Sequence, residues 1–355
     1  MQPIAANGYP IYFNDNSYDE LNRHLAENGY SKIFILVDSN TVDICLPNFI
    51  SRVETDRAIE IIEIDAGEHA KIIETCVGVW NALTDLGADR KSLLVCLGGG
   101  VVTDLGGFVA STYKRGIAFI NAPTTLLAMV DASVGGKNGV DLGSLKNQIG
   151  VINVPELVLI DTTFLASLPQ NEMRSGLAEM LKHGLIADAG YWQQFGDLSQ
   201  LDLTDLDLLI HRSVIIKNQI VLQDPTEDGI RKALNFGHTL GHAIESHFLQ
   251  SDHKPTLLHG EAIAAGMILE SYLSMRLGLI SESEYQEIKS TVKTLFGTLE
   301  ITSEDESAII ELLIHDKKNE YGKVQFALLK GIGNVQIDQT IDDKLIVAAF
   351  SDYKC

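Results

Sequence analysis

Along the first half of the chain, short unbroken apolar runs alternate with amphipathic stretches. "SKIFILVDSN" is apolar until it ends in Asp38 and Asn40, as strands buried on both faces of a parallel sheet often do. "IEIIEIDAGE" follows, then a stretch of helical period from about Lys71 to Leu86, then "SLLVCLGGG", "GIAFINAPTT" and "ELVLID", the last ending at Asp161. Strand and helix in repetition predict an open, mostly parallel α/β sheet. After about Thr162 the texture changes. "NEMRSGLAEMLKHGLIAD", "DLDLLIHRSVIIKNQIVLQ", "IRKALNFGHTLGHAIESHF" and "HGEAIAAGMILESYLSMRLGLI" carry helical spacing, and strand-like residues return clearly only in "KVQFALL". The pattern predicts an α/β domain over residues 1–161 and an all-α domain over 162–355, with the cleft between them as the favoured place for a ligand.

Charge narrows the function classes. Hydrophobic residues make up 45% and charged residues 21%, a soluble globular balance, and the formal net charge is −21. Such an acidic surface argues against nucleic acid and anionic lipid as partners, since both need clustered Lys and Arg. An anionic small molecule stays open, because a small site can be locally basic. No apolar run is long enough to span a membrane, and the first residues show no basic start followed by an apolar stretch. The four cysteines, Cys45, Cys76, Cys96 and Cys355, are scattered and form no CxxC, the usage of reduced thiols. The expectation is a cytoplasmic enzyme.

"LLVCLGGGVVTDLGG" places a triple-glycine turn between a strand and a helix. Glycines let a backbone approach phosphate closely, and first-turn N–H groups point at it. Gly98 and Gly100 fit a GxGxxG pattern, but Thr103 stands where the last glycine belongs, so a purely structural turn is equally open. "APTTLLAMVDASVGGK" adds a second Gly- and Thr-rich turn.

Five of the ten histidines fall between His238 and His259. In "LNFGHTLGHAIE", His238 and His242 share a helical face and could hold one metal, but Thr239 replaces the glutamate of HExxH, which excludes the zincin pattern. "LLHGEAIAAGM" offers His259 near a helix start, and "GLAEMLKHG" offers Glu179 on a third helix. A glutamate and two histidines from separate helices suit a catalytic Zn²⁺ site; the other reading is core or surface histidines that bind nothing. His183, His211, His247 and His253 are assigned to that second group. Lys137, Lys146, Lys182, Lys217, Arg115 and Arg231 lie in Gly- or Asn-marked turns or beside these residues. Singly they read as solvated; grouped, they would receive a phosphate and a carboxylate.

Taken together, the motifs resemble the 3-dehydroquinate synthase family over nearly the whole chain. The strongest carriers are "APTTLLAMVDASVGGK", "GLAEMLKHG", "LNFGHTLGHAIE" and "LHGEA", with "VDSN", "GEHAK", "CLGGGVVTD" and "DKKNEYGK" matching less closely. The resemblance implies a Rossmann-like NAD-binding domain, a helical metal- and substrate-binding domain, and a homodimer. It implies Zn²⁺ ligands at Glu179, His238 and His259, a set that also suits Co²⁺. NAD contacts are implied at Asp38, Asn40, Glu68, Lys71, Gly99, Gly100, Val101, Asp104, Thr124, Thr125 and Lys146, and along Phe164, Leu165, Ala166 and Ser167. Binding of a phosphorylated keto acid is implied at Arg115, Asp131, Lys137, Asn147, Lys182, Lys217, Arg231 and Asn235, with His259 shared with the metal and Lys317 of "DKK" favoured over Lys318. Glu227, His242 and Lys137 fall near the proton-transfer chemistry. On this reading Asn235, His238 and His242 lie one turn apart along a single helical face.

Two positions depart from the family pattern, Asn138 in "GGKN" and Leu145 in "LKN", and the loop before His259 is longer by about five residues. The implied reaction converts 3-deoxy-D-arabino-heptulosonate 7-phosphate to 3-dehydroquinate, a step of the shikimate pathway to aromatic amino acids. It runs through transient oxidation at C5 by NAD, β-elimination of phosphate, re-reduction, ring opening and an intramolecular aldol. The rivals are other sugar phosphate cyclases, of the 2-epi-5-epi-valiolone or 2-deoxy-scyllo-inosose synthase type, whose substrates lack the carboxylate, and an NAD-dependent polyol dehydrogenase, which would accumulate NADH.

Overall fold

The apolar runs of the first half become parallel strands because a strand covered by helices on both faces has no polar side to show. The structure is a computed structural model describing residues 1–143, 145–196, 203–251, 253–313 and 324–354. Its first unit, Met1–Pro169, contains strands β1 (Ile4–Ala5), β2 (Pro10–Phe13), β3 (Ile33–Asp38), β4 (Ile59–Ile64), β5 (Leu93–Gly98), β6 (Ala118–Pro123), β7 (Lys137–Leu142), β8 (Leu145–Ile152) and β9 (Val158–Ile160). Its helices are α1 (Asp15–Glu27), α2 (Thr41–Ile44), α3 (Leu46–Ser51), α4 (Ile73–Asp85) and α5 (Gly100–Thr112).

The main sheet has the order β1-β2-β9-β6-β5-β3-β4, parallel except for β1. The chain winds outward from β3 to β4, returns to β5 on the other side of β3, and continues through β6. That reversal leaves a switch point between β3 and β5, where the carboxyl ends of parallel strands favour ligands. Asp38 ends β3, Gly98 ends β5 and Pro123 ends β6, so the NAD segments named from sequence follow neighbouring strands. Phe34, Leu36, Leu94 and Cys96 pack against Leu83 of α4 and Val102, Leu105 and Val109 of α5. Among the described residues β4 closes one edge; its Glu60 pairs with Lys32 at 2.9 Å and its Glu63 faces solvent.

The β7–β8 hairpin was not anticipated from the sequence, because β8 is largely exposed and carries no apolar run. It lies on α5, where a Cβ at Gly107 would overlap the Asn138 side chain. Asn138 Nδ2 donates to the carbonyls of Gly136 at 2.9 Å and Asn153 at 2.7 Å. The departure at Asn138 therefore fastens the base of the hairpin.

The second unit, Gln170–Cys355, contains α6 (Gln170–Ala187), α7 (Ala189–Gln193), α8 (Leu203–Gln223), α9 (His238–Gln250), α10 (His259–Arg276), α11 (Glu282–Phe296), α12 (Ser303–Leu313) and α13 (Asp343–Tyr353). One antiparallel hairpin, β10 (Phe326–Leu329) with β11 (Val335–Gln339), interrupts the helices, so the all-α expectation gives way at this point. α10 is buried on nearly every side from Ala262 to Ser274, as a helix apolar all round must be. No helix among the described residues is long and apolar enough to cross a membrane.

The units divide at Pro169, beyond the boundary read from sequence at residue 161. The short 3₁₀ helix Thr162–Ser167 stays with the first unit because Asp161 caps it, accepting from Thr163 N at 3.0 Å and Thr163 Oγ1 at 2.6 Å. Asp161 is itself fully buried, accepting from Tyr18 Oη at 2.9 Å and lying 3.5 Å from Arg52 Nη1. Removing Asp161 strands the buried Tyr18 hydroxyl and the cap of the 3₁₀ helix, and each buried polar group left unsatisfied costs about 1–3 kcal/mol. Asp161→Ala is expected to lower the urea midpoint of unfolding by a correspondingly large step, whereas Asp15→Ala, which removes the exposed partner of Arg52, changes it little.

Candidate active site

The second unit brings Glu179, His238 and His259 together. Glu179 lies within α6, His238 is the first residue of α9 and His259 the first of α10. Glu179 is fully buried, with Oε1 3.4 Å from His238 Nε2 and 3.7 Å from His259 Nε2. Neither of its oxygens has a hydrogen-bond partner, although the Lys182 ammonium forms an ion pair with Oε2. The other nitrogen of each ring is already engaged. His238 Nδ1 stands 3.1 Å from the Phe236 carbonyl, and His259 Nδ1 3.4 Å from Glu245 Oε2. Were Nδ1–H to donate outward in each, both Nε2 lone pairs would be free for a cation held against Glu179, the outer-shell arrangement that orients metal-binding histidines. Two imidazole nitrogens and a carboxylate from three helices are a donor set for a divalent cation such as Zn²⁺. Buried Oε1, which accepts no hydrogen bond and is not the oxygen paired with Lys182, fits the same conclusion, because such atoms are costly unless something meets them.

The electrostatics agree. Burial and the neighbouring Lys182 push His238 down to about 4, so its ring is neutral at ordinary pH. His259 moves to about 9: burial opposes protonation, but the neighbouring Glu179 and Glu245 carboxylates outweigh it. Glu179 stays well below the carboxylate range against its burial, held there by Lys182 and His238. A proton on His259 would compete with a metal for the same lone pair.

His242 follows one turn after His238, its ring centroid 5.1 Å from that of His238 and 5.7 Å from that of His259. Nitrogens of the three rings lie within 4.8 Å of one another, so His242 is near enough to relay a proton or to stand as an alternative ligand. Asn235 does not share this helical face. The chain forms a 3₁₀ helix over Ile230–Asn235, turns at Gly237 with φ 77°, and starts α9 only at His238. A left-handed residue cannot continue a right-handed helix, and Gly237 was the sequence signal for the break.

Asn235 instead joins Glu227, donating from Nδ2 to Oε1 at 3.0 Å. Their loop is organised by Asp224, which the sequence reading missed; it accepts from the N–H groups of Asp228 at 3.1 Å, Gly229 at 2.7 Å and Arg231 at 3.0 Å. An aspartate opening a Pro- and Gly-containing turn was the available signal. Arg231 is buried, with Nη1 donating to the Pro225 carbonyl at 2.6 Å, and Lys217 is buried on α8. Arg115, Asn147 and Glu227 hold φ of 69°, 51° and 68°. Left-handed backbone at residues other than glycine is uncommon and concentrates at functional sites.

In the first unit, Gly99 precedes α5, and Gly100 and Val101 form its first turn. Asp38 Oδ1 accepts from the N–H groups of Asn40 at 3.0 Å and Thr41 at 2.8 Å. Thr124 N–H donates to the Gly98 carbonyl at 3.0 Å, and Thr125 Oγ1 accepts from Ala128 N–H at 3.2 Å, tying the second turn to the first. Buried Lys71 donates to Asp104 Oδ2 at 2.7 Å, and Lys146 to Glu68 Oε1 at 3.1 Å. Burial works against the Lys71 charge, but Asp104 and Glu68 raise its pKa. Burial raises Asp104 despite Lys71. Asp141, unforeseen from sequence, donates its N–H to the Lys71 carbonyl at 2.9 Å and accepts from Asn147 N–H at 2.6 Å. Asp131 is half-buried in a π-helical turn over Ala128–Ala132, while Arg115 and Lys137 are exposed. Phe164 and Leu165 are buried, whereas Ala166 and Ser167 face solvent. Lys317 and Lys318 lie outside the described residues.

Comparison with known proteins gives a consistent picture. The family models described as 3-dehydroquinate synthase N-terminal and C-terminal match residues 61–175 and 176–319. The chain is 42% identical to a 3-dehydroquinate synthase of Parabacteroides distasonis over 338 residues, covering 94% of this chain and 95% of that protein. It is 37% identical to one of Desulforamulus reducens, covering 98% of each. Among solved structures it resembles the 2-epi-5-epi-valiolone synthase ValA of Streptomyces hygroscopicus, solved with NAD⁺ and Zn²⁺, with TM-score 0.83, 27% identity and coverage of 100% of this chain and 99% of that one. A 2-deoxy-scyllo-inosose synthase shares the fold at TM-score 0.84 and 24% identity, with 99% of each chain covered.

The long loop before His259 is fastened to α12. Asp305 Oδ2 lies 2.7 Å from Lys254 Nζ, and Asp305 Oδ1 lies 2.8 Å from His247 Nε2. Against burial, these partners and Thr302 hold the Asp305 carboxyl far below its ordinary value. A carboxyl depressed on folding contributes stability above its unfolded pKa of about 4, and that contribution is lost as pH falls from there toward the folded value. Asp305→Asn is therefore expected to melt lower than wild type at pH 7, with the gap closing as pH falls below about 4; a gap independent of pH would contradict the assignment.

Proposed function

The chain belongs to the 3-dehydroquinate synthase family, and on that premise we propose that it converts 3-deoxy-D-arabino-heptulosonate 7-phosphate to 3-dehydroquinate and phosphate. The observation that carries this reading is the convergence of His238 and His259 Nε2 on the buried Oε1 of Glu179, the oxygen that the Lys182 ion pair leaves aside. Glu179, His238 and His259 are the residues that would hold the metal, and the turns after β3, β5 and β6, with Lys71, Asp104 and Lys146, those that would hold NAD. When bound, NAD accepts and returns a hydride while the divalent ion acidifies the reacting hydroxyl.

The remaining roles belong to this chain's own side chains. Arg115, Asp131, Lys137, Asn147, Lys182, Lys217, Arg231 and Asn235 bind the phosphorylated keto acid, the cations among them meeting its phosphate and carboxylate and restricting it to one conformer. Glu227 is oriented by the Asn235 amide and stands as an acceptor for a substrate proton. His242, beside the ligand histidines yet with Glu179 available as the third donor, moves protons and leaves the metal to the other three. Retention of Lys217, Arg231 and Asn235 supports a substrate with a carboxylate over the sugar phosphates of other cyclases.

Incubation with 3-deoxy-D-arabino-heptulosonate 7-phosphate, NAD⁺ and Zn²⁺ is expected to release phosphate without net NADH. Activity confined to a sugar phosphate lacking a carboxylate, or steady accumulation of NADH, would overturn the reading. His242→Ala is expected to retain Zn²⁺ while turnover falls about 10²–10⁴-fold, the usual size of a lost acid–base group. His238→Ala is expected to lose both, and elemental analysis of the two purified variants separates these roles.

A further inference from the structure

α9 carries His238 at its first position but has no cap of its own. Gly237 precedes it without a side chain, and φ of 77° together with Met267 Cγ, 2.7 Å from where a Cβ would stand, keeps larger residues out. First-turn N–H groups nevertheless need acceptors. Glu270, fully buried on α10, supplies them: Oε2 accepts from Gly237 N–H at 2.7 Å and Oε1 from Leu240 N–H at 3.0 Å. Its charge faces the positive end of the α9 dipole. The helices come close enough because α10 has Gly266 where the Gly237 carbonyl and Gly241 N–H press against it; a Cβ there would overlap both. His238 thus sits between two clamped backbone groups, with its ring tied to the Phe236 carbonyl.

We propose that Glu270 is a positioning residue for the metal-binding set, its two-oxygen hold on Gly237 and Leu240 fixing the aim of His238 Nε2 toward Glu179 and His259. This rests on the reading of His238 as a metal ligand. A glutamine fits the same space but offers one acceptor oxygen and turns an NH₂ toward the second N–H. An aspartate keeps the charge but is one methylene too short to reach both groups.

The test uses full-length wild type, Glu270→Gln, Glu270→Asp, His238→Ala and Ile268→Val, each stripped of metal. Zn²⁺ is titrated against a chromogenic chelator, the Co²⁺-loaded proteins are compared by visible spectrum, and the metal-free proteins are melted. Glu270→Gln is expected to bind Zn²⁺ about 10–100-fold more weakly, as for other outer-shell partners, with a shifted Co²⁺ spectrum. Glu270→Asp is expected to fall between it and wild type. Ile268→Val thins the packing of the same helix beside Val292 and Phe296, so it melts lower while keeping wild-type metal behaviour. Wild-type affinity and spectrum in Glu270→Gln overturn the proposal, and so does an equal affinity loss in Ile268→Val. If Glu270→Gln does not fold, wild-type behaviour in Glu270→Asp overturns it. Failure of the underlying metal reading looks different: His238→Ala then binds Zn²⁺ as tightly as wild type.

Discussion

The buried carboxylate of Glu179 is the constraint around which the helical unit is arranged. An anion with no access to water must be met by positive charge or by strong donors at short range. Lys182 meets it from the same helix, and the Nε2 atoms of His238 and His259 face it from two others. Three helix backbones must then approach more closely than ordinary side chains allow. Glycine makes that approach feasible: a Cβ at Gly260 would run into the backbone of Ser175 on α6, as one at Gly266 would into the start of α9. Ser175 Oγ also accepts from Gly260 N–H at 3.0 Å, next to His259. The ligand positions are therefore set mainly by backbone contacts, which have few alternative arrangements.

A comparable economy operates in the first unit with opposite polarity. Lys71 is the buried charge there, and Asp104 answers it from α5. Through its backbone Lys71 also receives Asp141, whose carboxylate holds the left-handed turn at Asn147. A buried cation paired with α5 is thus connected to the hairpin that carries Lys137, Lys146 and Asn147. Beside their surface pairs, which contribute little, both units also bury charges in networks whose members lose support when one is removed.

How far the sequence disclosed this depended on the kind of signal. β3, β5, β6 and the helix beginning at Gly100 were legible because burial on both faces leaves continuous apolar runs, and because glycine marks the turn between strand and helix. The β7–β8 hairpin was not legible, since only Ile149 and Val151 of its largely exposed second strand pack on the core and its position depends on the contact between Gly107 and Asn138. Glu179, His238 and His259 could be nominated one at a time by residue type, but their convergence is a tertiary fact. The smooth helix read from Ile230 to Phe248 failed at Gly237, where turn chemistry overrides helical spacing. Glu245, Glu270, Asp224 and Asp141 escaped notice because a carboxylate serving backbone or imidazole N–H groups looks, in sequence, like any surface acid.

The outermost strand of the main sheet bears on the life of the protein before and between folding events. β4 reads "IEIIEI", a segment whose isoleucines alone would invite another chain to add a strand along its free backbone. Glu60 and Glu63 sit within it, one neutralised by Lys32 and the other left to water. An incoming strand would have to strip water from Glu63 and crowd the Lys32–Glu60 pair before it gained a backbone hydrogen bond. At the opposite edge β1 is two residues long, too short to template much. The sheet thus stays open without being sticky, so a concentrated solution of this chain is guarded against fibre-like association by two acidic side chains that take no part in its chemistry.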